Sequence, residues 1–153
     1  DLCRAAGVPL IVNDDARLAL DVDAAGAHLG GTDGDLAAAR ALLGPDRLLG
    51  ASCYDRPGLA SYARGAGADH IAFGAVFASA TKPAAVRAPL ALFGDATARA
   101  GLPAVAIGGI TAENAADVVA AGAHAVAVIS DLFDAADIAA RARTYRRLFE
   151  RPG

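Results

Sequence analysis

Apolar and polar positions along this chain recur as one unit: a short apolar run, a loop bearing Gly or Asp, an Ala-rich helical stripe, and a glycine stop. Segment 104–130, AVAIGGITAENAADVVAAGAHAVAVIS, holds one whole unit and the strand that follows. Residues 104–107 are apolar without polar alternation, as expected of a parallel strand buried on both faces. Gly108 and Gly109 break the run. Thr111 can cap a helix whose Ala115, Val118 and Val119 form one stripe, and Gly122 closes it. The same reading predicts strands at 10–12, 28–29, 48–52, 71–73, 104–107 and 126–129. Helices are predicted at 16–25, 36–43, 57–66, 90–100 and 112–121. A last helix, 135–149, places Ile138, Ala142, Tyr145, Leu148 and Phe149 on one face.

Strands that alternate with helices at this spacing predict an α/β fold with a parallel sheet and right-handed crossovers. The near-identical junctions AAGAHLG, GAGADHIAFG and AAGAHAVAV favour a TIM (β/α)8 barrel over a doubly wound open sheet. Six βα units are visible, whereas a barrel needs eight strands and about 250 residues. The chain contains no Met and opens with DLCRAAGVPL, which reads as the last turns of a helix stopped by Gly7. The expectation is a single partial barrel domain over residues 1–153, with its first two strands upstream of residue 1.

The unusual polar residues gather after the strands. Asn13, Asp14 and Asp15 follow the first, Asp33 the second, Ser52 ends the third, Lys82 lies after the fourth, Gly108 and Gly109 after the fifth, and Ser130 after the sixth. Barrel enzymes place their chemistry at this C-terminal rim. Gly108 and Gly109 before a helix N-terminus suit a phosphate seat, and equally a plain tight turn. Asp14 and Asp33 can hold Mg²⁺ with phosphate oxygens and water completing its octahedron, while Asp15 reads as a helix cap. Lys82 is the one lysine among fourteen Lys and Arg, which suggests a compact charge needed in that loop. Ser52 has no His and Asp at neighbouring positions, so a hydrogen-bonding role suits it better than that of a triad nucleophile. His28, His70 and His124 read as starting strands at the opposite rim, in structural or surface roles.

Composition narrows the class. A net charge of −3 without a Lys/Arg cluster argues against a nucleic-acid surface. Hydrophobic residues make up 55% of the chain, with Ala and Val supplying the excess, yet no uncharged stretch approaches the roughly 18 residues of a membrane span. A soluble cytoplasmic protein is expected. Cys3 and Cys53 are expected to be reduced thiols.

With LIVNDD, AHLGGTD, GASCY, FGAVFASATKP, VAIGGIT and AVAVIS in order, the chain resembles the thiamine phosphate synthase family. The resemblance covers essentially the whole chain, and the ordered series is specific where any single piece would be weak. That family couples 4-amino-5-hydroxymethyl-2-methylpyrimidine diphosphate to a thiazole phosphate and releases pyrophosphate. The resemblance implies that Asn13 contacts the pyrimidine diphosphate and that Asp14 and Asp33 bind Mg²⁺. It further implies that Ser52 and Lys82 touch the pyrimidine substrate and take part in catalysis, and that Ser79, Ala80, Thr81, Gly109, Ile129 and Ser130 hold the thiazole phosphate. The partners implied are these small molecules, without nucleic acid or membrane; a homo-oligomeric state stays open. Three departures are visible. The family's Gln-x-Arg-Glu-Lys segment, on an earlier strand, is absent. Tyr54 stands where many members have His, and Gly30, Gly31, Thr32 and Asp33 replace Gly-Gln-Glu-Asp.

Two rivals share the phosphate loops. A thiazole tautomerase of the same fold would want His at position 54, and the Asp14 and Asp33 pair favours the synthase. A non-catalytic phosphate-binding barrel would be stabilised by a thiazole phosphate without any Mg²⁺-dependent turnover.

Overall fold

The computed structural model describes residues 1–78, 86–94 and 100–150. In chain order these give α1 (Leu2–Ala5), β1 (Ile11–Asn13), α2 (Ala16–Asp21), β2 (Gly26–Leu29), α3 (Leu36–Leu43), β3 (Leu48–Tyr54), α4 (Pro57–Gly65) and β4 (His70–Gly74). After these come β5 (Ala104–Ile107), α5 (Ala115–Ala120), β6 (Ala125–Ala127), α6 (Ser130–Phe133) and α7 (Ile138–Arg147). All six strands pair in parallel, in the order β1-β2-β3-β4-β5-β6. Sequential order is that of a barrel wall, because a doubly wound sheet reverses direction at a switch point. The (β/α) barrel expected from the junctions is therefore the architecture.

Local chemistry sets the helix starts. Asp15, Asp35 and Asp137 are N-caps whose side chains accept from the N–H groups of Leu18 (2.9 Å), Ala38 (2.8 Å) and Ala140 (2.8 Å). Pro57 opens α4, where its missing N–H costs nothing. Gly7, Gly67 and Gly122 follow helices at positive φ, as the recurring stop predicts. Two details differ from the expected elements. Thr111 is not the N-cap of α5; Asn114 holds that position without a side-chain cap bond and uses its side chain to brace the preceding loop. On the last helix Tyr145 is buried and Leu148 packs partly against the core as expected, but Ile138, Ala142 and Phe149 are exposed, because α7 touches the core only near its C-terminal end. The expected helix at 90–100 lies partly outside the described residues.

Strand parity separates two faces. Val12, Ala27, Leu29 and Leu49 pack with Ala19, Ala39 and Leu43 of α2 and α3. Ala51, Cys53, Ile71, Phe73, Ala104 and Ala106 pack with Ala60, Ala63 and Val118 of α4 and α5. Alanines let helices lie close on the sheet, and Phe73 meets Phe93 edge to face at 5.7 Å to fill the remaining volume. The other face carries Asn13, His28, Gly50 and His70 at one level of the ladder, since Asn13 pairs with His28, His28 with Gly50, and Gly50 with His70. Ser52, Ala72, Val105 and Ala125 form the next level towards the C-terminal rim. Cys3 and Cys53 are free, and burial pushes the Cys53 thiol up to about 12, so it is inert at neutral pH. Among the described residues no helix is long and apolar enough to cross a membrane.

Candidate active site

Two loops with the same logic bring the carboxylates together. After β1, Asp15 caps α2 and leaves Asp14 at the strand end, with φ 69 and its N–H donating to His28 O at 2.8 Å. After β2, Asp35 caps α3 and leaves Asp33 in the turn, where its Oδ2 accepts from Gly30 N–H at 2.7 Å and its Oδ1 from the Thr32 hydroxyl at 3.2 Å. Each loop thus spends one Asp on its helix and holds another at the rim. Asp14 and Asp33 line one cleft of about 360 Å³, together with Arg17, Leu29 and Leu42. Asp14 adopts left-handed backbone, which Asp tolerates better than most residues, and such conformations concentrate at functional sites.

The two-carboxylate set suits one kind of metal. Among the described residues no group of three or more His, Cys, Asp and Glu gathers to hold an ion. Mg²⁺ does not need such a nest, being held by one or two carboxylates plus phosphate oxygens and water. Asp14 and Asp33 fit that requirement.

Below the rim, Ser52 has a partner that neighbouring sequence positions do not reveal. Its Oγ lies 3.0 Å from His28 Nε2, and His28 Nδ1 lies 3.3 Å from His70 Nε2. His28 is mid-strand because β2 begins at Gly26, so the ring faces the inner wall and not the opposite rim. Gly50 stands between the two rings in the ladder, and a Cβ there would collide with both. The arrangement is not a nucleophile triad, since the far nitrogen of His28 meets an imidazole and not a carboxylate. Ser52 is a hydroxyl oriented by a neutral histidine. The missed signal was parity: two His and one Gly at matching positions of three adjacent strands.

Burial, then the neighbouring His70, pushes His28 down to about 4, against a smaller upward pull from Asp33. His70 is lowered too, chiefly by burial. Well above pH 6.5, the ordinary histidine value, folded and unfolded His28 are both neutral and its contribution to stability is constant. As pH falls towards 4 the unfolded chain takes up the proton first, so stability is lost, by about 3 kcal/mol for this group. A melting temperature followed from pH 7.5 to 4.5 should fall by roughly 6 to 12 °C from His28 alone in a chain of this size. His28→Gln should remove most of that slope; a variant with the parent's slope would show that His28 titrates normally in the folded state.

At the other side of the rim lie the two loops after β5 and β6, where a phosphate seat was expected. Gly108 and Gly109 have φ 96 and 65, and a Cβ on Gly109 would run into the backbone of Phe77 and Ala78. Val76 and Phe77 N–H groups donate to Ile107 O and Gly108 O at 3.0 Å each, so the chain after β4 lies along this glycine loop. The glycines therefore serve a tight approach of backbone to backbone, whatever else they bind. Asn114 braces the loop from behind, accepting from Thr111 N–H at 2.9 Å and donating to Gly109 O at 3.1 Å. After β6 the chain turns at Ile129 straight into the four-residue α6, which begins at Ser130. Asp131 ties that helix down: it accepts from Tyr145 O–H at 2.5 Å, from Arg141 at 3.2 Å and from Ala112 N–H at 3.3 Å. Burial and the Asp131 bond both raise the Tyr145 phenol, so it stays a donor. Neither Asp131 nor Asn114 was legible as a brace, since each bond spans a turn or two elements.

Ser79, Ala80, Thr81 and Lys82 lie outside the described residues. A larger hollow of about 590 Å³ opens at the N-terminal rim beside Cys3, Pro9, Asp23 and Arg47, away from all the rim residues above.

A sequential parallel sheet with its polar side chains on the C-terminal rim, and a short extra helix after its last strand, defines an enzyme of the (β/α)-barrel class. Comparison with known proteins makes this particular. The family model for thiamine monophosphate synthase matches residues 1–132. The thiamine-phosphate synthase of Aromatoleum aromaticum is 60% identical over 149 residues, which cover 97% of this chain and 72% of that protein. That of Methylobacillus flagellatus is also 60% identical over 149 residues, covering 97% and 71%. Among solved structures, thiamine phosphate pyrophosphorylase from Pyrococcus furiosus matches with a TM-score of 0.84 at 32% identity, covering 97% of this chain and 70% of that one. A 3-hexulose-6-phosphate synthase shares the fold, with a TM-score of 0.72 at 21% identity over 97% of this chain and 78% of that one. The chain belongs to the thiamine monophosphate synthase family and is a transferase of thiamine biosynthesis.

Proposed function

We propose that this rim joins 4-amino-5-hydroxymethyl-2-methylpyrimidine diphosphate to a thiazole phosphate by a Mg²⁺-assisted departure of pyrophosphate. The observation that carries the reading is the division of the rim into two seats on opposite sides of one inner wall. Asp14 and Asp33 line one cleft, and the glycine loop after β5 meets the short helix after β6 at the other. Phosphate in barrel enzymes is usually held by the loops after the last two strands and the N-terminus of an extra helix, which suits Gly109, Ile129 and Ser130 as holders of the thiazole phosphate. Ser79, Ala80 and Thr81 join that set on the family resemblance alone.

Asn13 and Ser52 share the inner wall between the seats, so an aromatic pyrimidine lying there would meet an amide and a hydroxyl. His28 holds the Ser52 Oγ in place. Asp14 and Asp33 would bind Mg²⁺, which when present neutralises charge on the diphosphate as it leaves. Lys82 adds a fixed positive charge to the same leaving group. The pyrimidine-methyl carbon, left electron-poor, is captured by the thiazole nitrogen, which has no proton to lose, so no side chain need act as a base on it. Positioning and electrostatics carry the rate. Two free thiols support placing the reaction in the cytoplasm.

The test is release of pyrophosphate from the two substrates. Mg²⁺-dependent release, abolished by a chelator and restored by added Mg²⁺, is expected. A rate at background with both substrates and Mg²⁺ present would sink the assignment, and binding of a thiazole phosphate without turnover would favour a non-catalytic barrel.

A further inference from the structure

Tyr54 does something that the chemistry above does not use. It ends β3, where the pairing with β4 slips: Ser52 is opposite Ala72 and Tyr54 opposite Phe73, leaving Cys53 as the extra residue of a bulge. Bulges re-aim the side chain that follows. Tyr54 pays for this with φ 55, a left-handed backbone that bulky residues avoid and that persists where the surroundings enforce it. Its side chain crosses to the loop after β2, and its hydroxyl oxygen accepts from Gly31 N–H at 2.8 Å.

The fit is close on that loop because it has no side chains there. A Cβ on Gly30 would stand 3.0 Å from the Tyr54 hydroxyl and 2.9 Å from Asp33 Oδ2, and one on Gly31 would touch the ring. The guanidinium of Arg56 lies over the ring, 5.9 Å from its centroid. Gly30 N–H, one residue before the N–H that Tyr54 takes, holds the Asp33 carboxylate. Adjacent amides of one short turn are thus bound from two sides, by the phenol of β3 and by the carboxylate itself.

We propose that Tyr54 is a positioning residue for Asp33: it pins the loop 30–33 through Gly31 N–H and so presets the carboxylate for a divalent cation. The proposal rests on the metal role given to Asp33 above. It makes Tyr54, Gly30 and the Gly31 amide one device, in which Gly30 leaves room for the phenol and Gly31 N–H takes it as the loop's support.

Tyr54→Phe keeps the ring and removes only the acceptor, so the fold is retained. Losing one net hydrogen bond predicts Mn²⁺ binding weaker by about three- to tenfold, with the metal alone titrated into the protein and read by electron paramagnetic resonance. Exchange of the Gly31 amide, followed by NMR, should quicken by a similar factor. In turnover the Mg²⁺ half-saturation should rise by more than kcat falls. Asp33→Asn sets the scale for outright loss of a ligand. If Asp33→Asn weakens Mn²⁺ binding and Tyr54→Phe does not, Tyr54 has no part in presetting the site. An unchanged Gly31 exchange rate overturns the pin itself. If Asp33→Asn leaves Mn²⁺ binding intact, it is the metal role of Asp33 that fails, and the proposal with it.

Discussion

Asp33→Asn and Asp14→Asn should each lower turnover at limiting Mg²⁺ by about a hundredfold or more, with melting temperature within a few degrees of the parent. On the proposed function, removing a ligand charge from the cation that neutralises the leaving diphosphate forgoes a transition-state contribution of several kcal/mol. Asn is the sharper probe at both positions. At Asp33 it retains an oxygen able to accept from Gly30 N–H, so the turn survives. At Asp14 it tolerates the φ of 69 as well as Asp does. Asp15→Asn supplies the contrast, because Asn also caps helices and the cap to Leu18 N–H carries no metal role. Initial rates across a Mg²⁺ series would read the difference. Should either rim variant keep a rate within threefold of the parent at limiting Mg²⁺, that carboxylate belongs to its loop and not to the chemistry.

This contrast between paired aspartates shows what a single sequence carries. Capping is local, so Asp15 could be recognised as a cap from its place before an apolar stripe, and Asp14 and Asp33 stood out as the carboxylates left over. The six strands were legible for the same reason: short, mostly apolar runs between turn signals are local features, although β1 and β6 turn out only half-buried. Their ends were less so. Gly26 extends β2 beyond the expected 28–29, and β6 stops at Ala127 because Ile129 already turns into α6. A four-residue helix has no period to read.

Contacts between strands were the real blind spot. His28 was expected at the far rim, yet two residues' difference in where β2 starts places it on the inner wall against Ser52. Register converts a small error of boundary into a wrong neighbour. Tyr54 was visible only as a departure from the family's His. That its phenol reaches Gly31 depends on the bulge at Cys53, which no periodicity marks. The braces of the loops after β5 and β6 share this property, since Asp131 joins α6, α7 and the stretch before α5 across 10 to 19 residues.

Lys82→Ala should lower kcat by roughly a hundredfold to a thousandfold, as expected for a lost charge-assisted contact that costs about 2.7 to 4 kcal/mol of barrier in a dry site. The chain has one lysine among its fourteen Lys and Arg, and it stands in the sequence between β4 and β5. If that charge faces the diphosphate, it matters more as the bond breaks than before, because negative charge grows on the departing group. The loss then appears in kcat as well as in binding. Lys82→Arg should recover only part, since a planar fork with spread charge does not replace a compact ammonium. Loss of ground-state attraction alone would raise KM and leave kcat in place. A lysine that merely sits in solvent would change neither. The measurement is kcat for both variants with both substrates and Mg²⁺ saturating, and a fall of less than threefold in Lys82→Ala would put the leaving group's charge in the care of Asp14, Asp33 and their metal alone.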